Sequence, residues 1–135
     1  MITTFPLMLL ALVAYNIVIF AFPTASWFDP VWSLQMVSGI RWEMLLGDLM
    51  IVLGLILLFF EILKATRIGR LSIIDHLLST VVLILFVVEF LLLPEAATSV
   101  FFILMLMALV DVMAGFSVSI RSATRDVSLG DGGSL

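Results

Sequence analysis

The chain has no cysteine, one histidine, one tyrosine and only six lysines and arginines in 135 residues. Without cysteine, disulfides, thiolate catalysis and cysteine-ligated zinc or iron–sulfur centres are excluded. A lone histidine supplies no recognisable metal or haem ligand set, so neither a metal nor another cofactor is expected. The formal net charge is −4. Nucleic acid is therefore not a partner, because phosphate binding needs clustered Lys and Arg. Also missing are a nucleophile–histidine–acid set, an HExxH motif, a glycine-rich phosphate loop and a polar segment long enough to form a soluble domain. These absences point away from an enzyme.

Apolar residues make up 64% of the chain, against roughly 45–50% in an ordinary soluble domain. They come in long blocks. A chain this short cannot hide so much apolar surface in one aqueous core. The solvent such blocks require is a bilayer, which makes lipid the first expected partner.

A membrane-crossing helix needs about 20 mainly apolar residues, since ~30 Å of hydrocarbon is crossed at ~1.5 Å per residue. Four stretches meet or approach this length, at about 6–22, 42–64, 73–93 and 96–120. The fold class expected is an all-α integral membrane protein, with these four helices in an antiparallel bundle. Pro6 and Pro23 bracket the first span. No Lys or Arg precedes that span, so it reads as a retained helix and not as a secretory signal. Ser72–Ile73–Ile74–Asp75 matches a capping box at the start of span three. Pro94, Glu95 and Ala96 leave room only for a tight reversal between spans three and four.

Between spans one and two, at about 24–40, lies "TASWFDPVWSLQMVSGI". Asp29 before Pro30 reads as a helix start and Gly39 as a stop, predicting a short interfacial helix over about 30–38. Trp27, Phe28, Trp32 and Trp42 suit a membrane–water boundary. Residues 121–135 turn polar and end in Gly, Ser and Asp, predicting a mobile cytoplasmic tail.

Lys64, Arg67 and Arg70 crowd the loop between spans two and three, and Arg121 and Arg125 follow span four. The opposite side offers only Arg41. Positive-inside bias puts both termini in the cytoplasm, as in a bacterial inner-membrane protein.

An ionisable group within a span costs about 2.5–3.5 kcal/mol on insertion scales, which makes each one a candidate site. Glu61, Lys64, Asp75 and His76 form a polar set at the cytoplasmic edge. Glu61 and Lys64, three apart, share a helix face. Asp48 and Glu89 lie deeper, each roughly 7 Å below the outer boundary by helical rise. If they face one another, they share a proton. Span three carries a polar edge of Ser72, Asp75, Ser79 and Glu89, with Phe86 between them, and this edge is expected to face protein.

Asp111, in "ILMLMALVDVMAGFSVSI", is the deepest acid. Ala108, Gly115 and Ser119 near it form a small-residue face that lets a helix approach. Asn16, counted at comparable depth, is its expected partner. Val110 and Val112 are read as lipid-facing.

Two functions follow from these residues. The first is an accessory subunit, assembly factor or oligomerising bundle in which Asn16, Asp48, Glu89 and Asp111 pack and bond helices, as a homo-oligomer or within a larger membrane complex. The alternative is a proton- or cation-coupled transporter or channel subunit working as a homo-oligomer through Asp111, Asp48 and Glu89. Length and span number resemble those of small multidrug transporters, but their first-span glutamate has no counterpart here, where span one offers only Asn16. No family is assigned.

Overall fold

The computed structural model describes the backbone of residues 5–66 and 70–133, and the side chains of 5–66 and 73–117. It is mostly helical. Helix α1 (Met8–Ala21) is followed by strands β1 (Pro30–Gln35) and β2 (Arg41–Leu45). Helices α2 (Leu46–Ala65), α3 (Arg70–Leu92) and α4 (Ser99–Gly133) complete the chain. Three helices, α2, α3 and α4, are long and apolar enough to cross a membrane, and α1 is a shorter apolar helix. Its 14 residues reach ~21 Å at helical rise.

The helix ends follow from local chemistry. Pro23 cannot continue α1, which closes with the Phe22 amide on the Val18 carbonyl at 3.1 Å. A single 3₁₀ turn, Pro94–Ala96, reverses the chain between α3 and α4. Thr98 then caps α4, its Oγ1 accepting the Phe101 amide at 3.2 Å, as a hydroxyl at an N-cap does. The tight reversal expected at Pro94 is therefore present.

Helix α4 is the centre of the bundle, packed along both α2 and α3, while α1 packs mainly on α2. The core is built from Met8, Leu12 and Tyr15 of α1, Phe86 of α3, and Phe101 and Leu104 of α4. Leu55, Phe59, Ile84, Leu91 and Met113 stand exposed on the outside. Apolar residues thus cover the surface as well as the core.

Two sequence expectations are corrected here. Residues 30–45 form an antiparallel β-hairpin, so the interfacial helix expected over 30–38 is absent and the all-α class holds only for the bundle. Gly39 adopts φ +94° and closes a three-residue loop in which the Gly39 amide reaches the Met36 carbonyl at 3.0 Å. Glycine in the left-handed region belongs at that place in a hairpin loop. Its sequence signal is shared with a helix stop, hence the misreading. Pro30 is the first strand residue, where no ladder donor is missed.

The second correction concerns Ser72 and Asp75. Helix α3 already runs from Arg70, so the Ser72–Asp75 pair lies within it and is not its cap. Helix α4 continues to Gly133. Of the basic loop residues, Arg67 lies outside the described residues, as do the side chains of Arg70, Arg121 and Arg125.

Candidate functional site: a buried polar cluster

The end of the bundle opposite the hairpin buries a group of polar side chains among α2, α3 and α4. Glu61, Asp75, His76, Ser79 and Asp111 are each between 1% and 5% exposed. Helical spacing assembles them, because Asp75 and Ser79 are four apart on α3 and so stand on one face. Glu61, near the end of α2, and Asp111, on α4, meet that face from either side.

Glu61 is the hub. Its Oε2 accepts the Leu7 amide at 2.8 Å, and its Oε1 accepts the Ser79 hydroxyl at 3.4 Å. Lys64 Nζ lies 3.5 Å from the same Oε2 and 3.3 Å from Asp75 Oδ1. It also donates to the Phe5 carbonyl. Asp75 Oδ1 is at ion-pair distance but has no aligned hydrogen bond among the described residues. Asp111 faces Ser79, with Glu61, Asp75 and Lys64 as its charged neighbours.

The His76 ring lies against Gly115 and 6.4 Å from the Phe116 ring. Its Nε2 has no hydrogen-bond partner among the described residues. Also among the described residues, no group of three or more His, Asp or Glu side chains converges to hold a metal ion.

A second polar contact lies nearer the hairpin. Asn16 Nδ2 donates to the Leu12 carbonyl at 2.8 Å and to Glu89 Oε2 at 3.1 Å. Glu89 Oε1 has no partner among the described residues. Close by, the Tyr15 hydroxyl donates to the Glu95 carbonyl at 2.8 Å and lies 2.7 Å from Thr98 Oγ1. The Tyr15 ring stacks on Trp27 with centroids 4.6 Å apart. Tyr15 thus ties α1 to the α3–α4 reversal.

The geometry rearranges several expected partnerships. Asn16 meets Glu89 and not Asp111, because five residues separate it from the hairpin end of α1 and twelve separate Asp111 from that of α4. The difference is ~10 Å along the bundle. Asp48 does not meet Glu89 either. It is exposed, and its Oδ2 accepts the Leu45 amide at 3.2 Å, capping the first turn of α2. It lines an open cleft of about 390 Å³ with Trp27, Phe28 and Thr98. Val112 is buried at 8%, whereas Val110 is 47% exposed, so only Val110 faces outward.

Other expectations agree with the geometry. Glu61 and Lys64 pair; on the polar edge of α3 Asp75, Ser79 and Phe86 are buried and Glu89 is half-buried; and Ala108, Asp111 and Gly115 face protein, while the side chains of Ser72 and Ser119 lie outside the described residues. The sequence reading does not single out Tyr15, although a lone tyrosine inside an apolar helix needs a hydroxyl partner when buried. The sequence groups Lys64 with Glu61, Asp75 and His76 by position; its ion pair with Asp75 depends on the rotation of α3.

Comparison of the chain with protein-family models, with curated proteins and with solved structures finds no match. Any functional reading therefore comes from the residues and their arrangement.

Proposed function

We propose that the chain is a small non-enzymatic membrane protein acting as an accessory subunit, assembly factor or oligomerising bundle, with its buried carboxylates joining helices. One observation carries this reading: Glu61, Lys64 and Asn16 each bond or pair with a polar side chain of a neighbouring helix. Glu61 of α2 holds the residue before α1 and Ser79 of α3; Lys64 of α2 holds Asp75 of α3; Asn16 of α1 holds Glu89 of α3. Asp111 adds α4 through its place beside Ser79. In lipid the hydrophobic effect does not drive helices together, so packing and interhelical hydrogen bonds must do so.

In this reading α2, α3 and α4 cross the bilayer and α1 completes a four-helix set. The basic end is cytoplasmic, both termini lie there, and the membrane is a bacterial inner membrane. The working form is a homo-oligomer or part of a larger membrane complex. Reporter fusions after residues 40, 68, 95 and 135 check the orientation: external signal is expected at 40 and 95 alone, by the positive-inside rule. External signal at 68 or 135 overturns it.

A second reading, a proton- or cation-coupled transporter or channel subunit, is favoured by the meeting of Glu61, Asp75 and Asp111 around Lys64. Acidic groups near one another inside a span are what a proton relay uses. Substitution at Asp111 separates the two readings. If Asp111 is a packing element, Asp111→Asn leaves stability almost unchanged, since the amide keeps the shape and an acceptor. Asp111→Leu then costs about 1–2 kcal/mol, the scale of an intramembrane hydrogen bond. An Asn variant that folds normally in proteoliposomes but has lost a pH-driven flux carried by the wild type selects transport instead.

A further inference from the structure

The hairpin register sorts its side chains into two unlike faces. Trp32 is directly opposite Met44, and Leu34 opposite Trp42. The alternate pairs are Ser33 with Glu43 and Gln35 with Arg41. Directly paired residues lie on the same side of a sheet, so Trp32, Leu34, Trp42 and Met44 share one face, and Ser33, Gln35, Arg41 and Glu43 share the other. Met36 and Ile40, joined by a 2.9 Å bond from the Met36 amide, continue the apolar face to the turn. On the polar face, Arg41 Nη2 donates to Ser33 Oγ at 2.8 Å.

The apolar face is not covered by the rest of the described chain. Trp32, Leu34, Met36, Ile40 and Trp42 are all exposed, even though the two indoles meet edge to face at 5.6 Å. A two-stranded hairpin is marginal in water, and an apolar face on it needs cover.

Its place in the fold indicates what covers it. Strand β2 ends at Leu45 and α2 begins at Leu46, with no linker between them. The base is fastened to the first turn of α2, where the Leu46 amide bonds to the Asp29 carbonyl at 2.8 Å and the Gly47 amide to the Trp27 carbonyl at 2.9 Å. The hairpin is therefore held at the level where the apolar surface of α2 begins, marked by exposed Leu49, Val52 and Leu53. At that level a bilayer passes from acyl chains to headgroups, where indole rings are favoured. The polar face carries one Arg and one Glu, so it has no net charge to direct it toward an acidic or a basic partner.

We propose that the Trp32–Leu34–Trp42 face lies in the headgroup–acyl boundary of the bilayer, making the hairpin a surface anchor that seats the bundle. The proposal rests on the reading that α2 crosses the membrane. Because the polar face is neutral, seating is independent of anionic lipid.

The test uses the full chain in phosphatidylcholine vesicles, with Trp27→Phe and Trp42→Phe leaving Trp32 as the sole indole fluorophore. Lipids brominated near the headgroup end of the acyl chains should quench Trp32 about twofold, and aqueous iodide should quench it little, as for a ring at the interface. Adding phosphatidylglycerol should not change either result. A depth control replaces all three tryptophans with phenylalanine and places Ile56→Trp on the exposed middle of α2, where mid-chain bromines should quench it.

If the control is quenched while Trp32 responds to iodide and not to bromolipid, the anchor is overturned and the crossing of α2 stands. If Trp32 is shielded from both quenchers while the control is quenched, protein covers the face, which also overturns the anchor. A control untouched by mid-chain bromines overturns the crossing and the anchor together.

Discussion

Replacing Lys64 with methionine should destabilise the bundle by about 3–5 kcal/mol, the usual result of breaking a buried ion pair from one side. The Lys64 side chain is 11% exposed, with Glu61 at 3.5 Å and Asp75 at 3.3 Å from its Nζ. Methionine keeps the length and most of the apolar stem, so the charge is the principal loss. Two nearly buried carboxyl groups then lose their shared ammonium, and the Phe5 carbonyl loses its donor. Adding Glu61→Gln and Asp75→Asn should recover most of the stability. Neutral amides need no counter-ion, and the amide introduced by Glu61→Gln can accept from the Leu7 amide through its oxygen and donate to the Ser79 hydroxyl through its NH2. Thermal and denaturant unfolding in detergent micelles measures both steps. A loss below about 1 kcal/mol would put Lys64 among solvent-screened surface pairs, whose contributions are of that size.

The sequence disclosed the parts of this architecture that depend on run length and on proline. Long apolar blocks specify helices whether or not their neighbours are known, and Pro94 stops α3 through its own ring geometry. The hairpin was hidden because Asp29–Pro30 and Gly39 serve helix ends and strand ends equally well. Alternation of polar and apolar residues from Trp32 to Gln35 was the discriminating signal. Asn16 and Asp111 were misjudged for a different reason. Counting residues from span ends gives depth only as well as those ends are known, and the rotation of each helix about its axis is set by packing across the bundle. The polar cluster was half legible, since Glu61, Lys64, Asp75 and His76 were grouped by position along the chain. That Asp111 belongs with them needed the α3–α4 interface.

That interface carries the other large expected effect. A Cβ placed on Gly115 meets the His76 imidazole at Nδ1 and, at 2.7 Å, at Cε1. The ring is flat, buried and backed by Phe116, so it cannot yield by rotating one terminal bond. Gly115→Ala should therefore cost about 1–3 kcal/mol, the range for overpacking a tight core, and Gly115→Leu should prevent α3 and α4 from docking. Gly54 provides the comparison. There a Cβ meets Leu104 Cδ2 at 2.6 Å and Met107 Sδ at 2.8 Å, both the far ends of flexible side chains. Gly54→Ala should cost less than about 1 kcal/mol, because methionine re-packs readily. Val110→Leu, on the outward face, should be silent, whereas Val112→Leu should not. The decisive measurement is the cycle of Gly115→Ala with His76→Ala. Removing the imidazole opens the space that the new methyl needs, so the double variant should be more stable than the sum of the single losses by about 1 kcal/mol or more, well outside ordinary additivity. Losses that add within about 0.5 kcal/mol would mean that His76 and Gly115 do not form the close contact on which the α3–α4 packing is argued.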